Sequence, residues 1–153
     1  YWLMGSLGTA SYRDIYLAAP LILIGMIILY LLRWRINLLT LPEDEAKSMG
    51  ISVTRLKWLV IFSATLITAA SVAVAGIIGW VGLIIPHVAR MIVGNNNQFV
   101  FPVSISIGAA YLLFIDNLAR SVTSVEIPLS ILTAIIGAPF FAFLLHRTKG
   151  GWS

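Results

Sequence analysis

The chain has 153 residues, of which 59% belong to the AVILMFWYC set and 10% carry charge, and its mean hydropathy is +0.97. Soluble domains hold about 45–50% apolar and about a quarter charged residues, so a water-soluble domain, a disordered tail and a collagen-like fibre are excluded and the solvent is lipid. Zero cysteines remove disulfides, thiolate metal sites and cysteine nucleophiles, and the net charge of +4 lies in clusters flanking apolar runs, as the positive-inside rule produces, rather than in a nucleic-acid face.

A helical crossing needs about 20 predominantly apolar residues. In chain order the first such run is 15–32, with Pro20 in its first third. The next run, Trp58 to Ala89, carries no formal charge but is too long for one crossing. Gly76, Gly79, Gly82 and Pro86 break its second half. It divides into a full span at 58–76, a turn, and a short helix at 83–93 closed by Gly94-Asn95-Asn96-Asn97. Spans at 99–119 and 128–145 complete the chain, and 1–153 reads as part of a single transmembrane domain.

Charge decides whether the short helix crosses. If it does, Arg33, Arg35, Lys47, Arg55, Lys57, Arg90, Arg147 and Lys149 share one side, against Arg13 and Arg120 on the other. If it does not, the split is six against four. The eight-to-two arrangement obeys the orientation rule better. The expectation is five passes, an N-terminus outside and a cytoplasmic C-terminus. The opening at Tyr1-Trp2, with no initiator Met and no basic leader, reads as a chain entered part-way.

The connection 33–57 has internal order. Pro42 precedes Glu43-Asp44-Glu45, Lys47 follows, and Gly50 is a natural C-terminal cap, so a helix of about two turns is predicted, with Ser52 or Thr54 capping the next. A helix this short needs something to dock on. Ala46, Met49 and Ile51 offer a small apolar face, which suits either headgroups or a cytoplasmic partner. In the stretch Gly79 to Arg90, the glycines allow close backbone approach or an unwound turn. His87 there is more ordinary as a hydrogen-bonded packing residue than as a ligand, because no second ligand stands at metal spacing. Asp116 and Arg120, four apart, can pair to close a helix end, or leave Arg120 as a docking charge with Glu126 in the following loop. Gly137-Ala138-Pro139 reads as a kink and packing site. No GxxxxGKS, GxSxG or HExxH run exists, so no catalytic residue and no metal site is assigned, and the chain is not read as an enzyme.

These residues resemble the FecCD-type permease subunits of ABC importers for iron-siderophores, haem and vitamin B12. The resemblance rests on Tyr1-Trp2-Leu3-Met4-Gly5, on Glu45-Ala46 with Ser48-Met49-Gly50, and on Gly79-Trp80-Val81-Gly82-Leu83-Ile84-Ile85-Pro86-His87 with Arg90. Asp116-Asn117-Leu118-Ala119-Arg120, Glu126-Ile127-Pro128 and Gly137-Ala138-Pro139 continue it. Departures are Trp80, where many members carry Phe, and Asn96-Asn97-Gln98, where many carry an Asp-His-Arg-like run.

The resemblance implies an all-helical bundle forming the C-terminal half of a ten-span inner-membrane permease that works as a homodimer. It also implies import of a metal chelate by alternating access. Glu43, Glu45, Ala46, Met49, Gly50 and Ile51 would seat in a cytoplasmic ABC ATPase homodimer, which holds the Mg-ATP; this chain would bind no cofactor. Arg120 and Glu126 would meet a periplasmic or lipid-anchored substrate-binding protein. Gly79, Gly82, Pro86, His87, Arg90, Asp116, Gly137 and Pro139 would be structural. A different class of reading is an ion-gradient-driven secondary transporter with Asp116 as its coupling carboxylate. An intramembrane enzyme using His87 lacks a positioned partner residue.

Overall fold

The computed structural model describes residues 5, 7, 8, 10–122 and 127–148. Six α-helices follow in order: α1 (Tyr12–Ile36), α2 (Glu43–Ser48), α3 (Val53–Ala75), α4 (Val81–Val93), α5 (Asn97–Val122) and α6 (Leu129–Thr148), with a 3-10 turn at Asn37–Thr40. No strand occurs among the described residues. Four helices, α1, α3, α5 and α6, are long and apolar enough to cross a membrane, while α4 has 13 residues. At 1.5 Å per residue α4 rises only about 20 Å, short of a hydrocarbon core of about 30 Å.

The predicted spans coincide with the observed helices except for residue 76, just past α3, and residue 128, just before α6, and the helices extend beyond them elsewhere for local reasons. α1 begins at Tyr12 because Ser11 and Asp14 form a capping box: the Ser11 hydroxyl accepts from the Asp14 N–H, and the Asp14 carboxylate accepts from the Ser11 N–H at 3.0 Å. At its other end Arg33 lies over the Tyr30 ring, 3.8 Å from the centroid. α3 begins at Val53, with Ser52 at the cap position predicted for it, although the Ser52 side chain makes no cap hydrogen bond. Gly76 ends α3 at φ +71, where a side chain would be strained.

Two clusters of contacts fix which helix ends lie together. At one end the Asn37 amide donates to Asn96 Oδ1 at 2.7 Å and accepts from the Asn97 N–H at 2.9 Å. This joins the exit of α1 to the α4–α5 turn. At the opposite end the Leu129 N–H donates to Gly5 O at 3.0 Å, and a Cβ on Gly5 would lie 3.1 Å from Ile77 O and 3.3 Å from Ala75 O. The α3 exit and the α6 entry therefore share that end. Residues 76–93 must run from one end to the other. Five non-helical residues, 76–80, can span up to about 16 Å; with the rise of α4 they complete the traverse. α4 is thus the helical part of a broken crossing, as the charge distribution requires.

Packing is sparse and depends on small residues. α1 packs chiefly on α3, α4 on α5, and α6 on both α4 and α5. A Cβ on Gly25 would come within 2.6 Å of Ile67 Cγ1 and 3.0 Å of Ser63 O. One on Gly137 would meet Trp80 Cβ and Ile84 Cδ1 at 2.7 Å. In lipid, helices gain from such close contact rather than from escaping water. The buried hydroxyls of Ser63 and Thr133 donate to their own helices, to Leu59 O and Leu129 O, both at 2.8 Å. Leu31, Phe62, Ile92, Leu113, Phe114 and Ile135 all face outward.

Candidate functional site

The segment between α1 and α3 carries the most chemistry. α2 starts after Pro42, whose carbonyl accepts from the N–H groups of Glu45 and Ala46 at 3.1 Å. Pro42 therefore stands at the cap, immediately before the acidic first turn. Glu43, Asp44 and Glu45 fill that turn, and their charge complements the exposed N–H groups of the helix start. Gly50, at φ +76, closes the other end. Its N–H donates to Lys47 O at 2.9 Å and that of Ile51 to Ala46 O at 3.4 Å, the paired pattern of a glycine-terminated helix.

Two residues hold this helix onto the bundle. Ala46 is 1% exposed, buried where α2 meets α3 and the 3-10 turn. Glu43 accepts from Lys57 Nζ of α3 at 3.2 Å and lies 3.8 Å from Lys47 Nζ. The Lys57 ammonium, by hydrogen bond and by charge, holds the Glu43 carboxyl below its usual range. The six expected contact residues therefore divide. Ala46 is buried, Glu43 is exposed but tied to Lys57 of α3, Gly50 is an exposed cap, Ile51 is half-buried, and Glu45 and Met49 are exposed. The expected apolar face of Ala46, Met49 and Ile51 is not a single outward patch, because burial of Ala46 turns it to the bundle. Asp44 and Ser48 join the exposed side, on the face opposite the buried Ala46.

At the opposite end Arg120 Nε donates to Asp116 Oδ2 at 2.9 Å, one turn apart on α5. Leu7, Gly8, Ala119, Ile127 and Leu129 surround the pair in a hollow of about 20 Å³, room for about one water. Arg120 remains half exposed. Ile115, Ala119 and Leu129 are buried beneath it with Leu7, Ile78, Tyr111 and Leu132. Glu126, its expected companion, lies outside the described residues, as does the Tyr1-to-Met4 run.

The stretch 79–90 is arranged differently from expectation. No atom comes within 4 Å of a Cβ built on Gly79 or Gly82 among the described residues, so close approach is made at Gly137 instead, against Trp80 and Ile84. Trp80 also meets Phe141 edge-on, with centroids 6.0 Å apart. His87 and Arg90 are exposed on α4. His87 has no hydrogen-bond partner among the described residues, so it is not the packed histidine expected. Pro86 and Pro139 lie inside α4 and α6. The turn Asn95–Gln98 has a role the sequence did not disclose. Asn96 caps α5, its Oδ1 accepting from the Gln98 N–H at 3.0 Å, while the same oxygen and the Asn97 N–H bind Asn37.

Comparison with known proteins places this geometry. Residues 1–147 match the FecCD transport family. The chain belongs to the FecCD transport family. Among FecCD-like relatives, the molybdate import system permease protein MolB of Haemophilus influenzae is 49% identical over 99% of this chain and 45% of its own length. A protein assigned as the iron chelatin transport system permease of Helicobacter pylori is 44% identical over 97% and 46%. The cobalamin import system permease protein BtuC of Halobacterium salinarum is 42% identical over 95% and 39%. A solved structure assigned as an inward-facing metal-chelate type ABC transporter superposes with a TM-score of 0.91 at 49% identity, over 95% of this chain and 47% of that one. The chain spans less than half the length of each. The 5% of this chain outside the superposition is shorter than α4, so the superposition includes at least part of that helix.

Proposed function

We propose that this chain supplies half of the membrane pathway of a FecCD-type ABC importer for a metal chelate or a related metal-bearing solute. One observation carries the reading. α2 is a capped acidic helix, clamped to α3 from behind by Glu43–Lys57 and Ala46, with Asp44, Glu45, Ser48 and Met49 turned outward. Its family membership and the molybdate, iron chelatin and cobalamin relatives supply the solute class. In this reading the basic end is cytoplasmic. Two copies form the pathway in the inner membrane, and a partner ATPase homodimer, which holds Mg-ATP, grips α2. A substrate-binding protein docks at the Arg120 end. The chain itself performs no catalysis. For α2 to transmit force, the ATPase must bind it differently in its two nucleotide states, since contact of equal strength shifts no equilibrium.

The test uses the whole permease with its ATPase and binding protein in proteoliposomes. Asp44→Arg with Glu45→Arg is expected to lower both solute uptake and binding-protein-stimulated ATP hydrolysis by about tenfold or more, the effect of reversing charges across a contact. Unchanged uptake and hydrolysis would overturn the reading. Ala46→Arg is the poorer probe, because it places a charge at a 1% exposed position and unseats the helix. The family membership gives no support to secondary transport through Asp116, whose carboxylate is paired with Arg120 at 2.9 Å near the end of α5.

A further inference from the structure

The basic end holds a cleft whose rim includes Met49, Gly50 and Ile51 of the coupling segment but whose arginines the coupling reading does not use. It lies between the last turn of α1 and the α2–α3 connection, with Trp34 and Arg35 on one side and Ser52 and Arg55 on the other. Leu56 and Leu59 of α3 lie further down its wall. The space is about 450 Å³, the size of a small-ligand site, and it is half open. Arg35 and Arg55 are both exposed, and neither forms a salt bridge among the described residues. The neighbouring cations differ. Lys47 and Lys57 share Glu43, and Arg33 lies over Tyr30. Two arginines thus line one cleft without a salt-bridge partner among the described residues.

The position selects the anion. The cleft opens where two crossing helices reach the basic interface. Trp34 and Trp58 are exposed at that level, as interfacial anchors are, and Leu31 and Leu59 are exposed beside them. A ligand here meets charge at its head and aliphatic wall below. Guanidinium binds phosphate oxygens in a bidentate fork, and the leucines match an acyl chain. We propose that this cleft binds the phosphate of an anionic phospholipid from the leaflet at the basic end, between Arg35 and Arg55, with its chain along Leu56 and Leu59. The site shares the rim residues Met49, Gly50 and Ile51 with the coupling segment, but lipid binding requires only that the chain lies in a bilayer.

Native mass spectrometry of the whole permease–ATPase complex tests it, with phosphatidylglycerol and phosphatidylcholine of matched chains as probes. A cation at a membrane surface contributes about 1 kcal/mol, or about fivefold in binding, so two give a preference for phosphatidylglycerol of about 25-fold. Arg35→Gln with Arg55→Gln is expected to bring the preference near parity, while Arg13→Gln at the other end leaves it intact. The preference surviving the double substitution would overturn the proposal. So would millimolar inorganic phosphate displacing the lipid from the wild type, which would make the ligand a soluble anion. Loss of the ATPase from the double variant with lipid retention unaltered would likewise assign the cleft to the ATPase and overturn it. Should the glutamine pair misfold, Arg35→Lys with Arg55→Lys keeps the charge without the fork. That pair is expected to show a reduced preference that disappears in molar salt, and a full, salt-insensitive preference would count against the site.

Discussion

Glu43 is where a single titration has the widest effect, because it joins α2 to α3 through Lys57. Its carboxyl is held below the usual range, chiefly by the Lys57 hydrogen bond. A depressed folded-state value means that the contribution is fully present above the unfolded value of about 4.3 and is lost as pH falls through the lower folded value. Hydrogen-exchange protection of residues 46–51, corrected for intrinsic rates, should therefore hold from neutral pH to about pH 5 and decline below about pH 4. Glu43→Gln should remove that decline. Since the pair is solvent-exposed, molar salt should weaken it as well. A second residue-scale expectation concerns Asn37. Replacing it with Ala removes two hydrogen bonds, and a double-mutant cycle with Asn96→Ala should give a coupling of about 1 kcal/mol in the unfolding free energy of the detergent-solubilised permease. Strict additivity would show that the two amides do not cooperate.

Among the elements, the α1–α3 and α4–α6 pairs rest on one glycine each. Gly25→Ala sets a methyl 2.6 Å from Ile67 Cγ1 and against Ser63 O. Gly137→Ala sets one 2.7 Å from Trp80 Cβ. Each should cost about 1–3 kcal/mol, read as a lower unfolding temperature in detergent, because the neighbouring helix must move away. An unchanged unfolding temperature would mean that the helices are not in this register. The sequence shows these glycines but not what each one meets, since that depends on which helices become neighbours. For the same reason Gly79 and Gly82, the more conspicuous row, have open space instead. Local signals were legible in part. The proline before α2 and the glycine after it were expected, whereas the first helix was expected only from residue 15 and the Ser11–Asp14 box went unread. The Ser11–Asp14 box, the proline before α2 and the glycine after it all lie within one turn of what they organise. The Glu43–Lys57 pair spans 14 positions and the Asn37–Asn96 pair 59. Their partners follow only from the path of the chain. The inward turn of Ala46 followed the same logic: burial there is decided by α3, not by α2.

On the scale of the whole molecule, the bundle has two chemically different ends, and the broken crossing determines their composition. A cysteine-free chain allows direct measurement. Glu45→Cys and Asn95→Cys should react with a membrane-impermeant maleimide from the same side, and Arg120→Cys from the other. Asn95 labelling together with Arg120 would mean that α4 turns back without crossing. Four crossings were legible from hydropathy, and charge adds the fifth. The manner of that crossing was only partly so, because a glycine run announces a break without saying how the chain continues.

That break also tells against one kind of neighbour. The N–H groups of Ile77, Ile78, Gly79 and Trp80 find no acceptor among the described residues. With α4 rising about 20 Å from the basic end, the Trp80 amide sits about 10 Å below the far interface, and those of 77–79 lie between it and that interface. Hydrocarbon tails there would strand four donors at a few kcal/mol apiece. The flank at 77–80 must be wetted or walled by more polypeptide, which gives the bundle a side that is never bathed in fat.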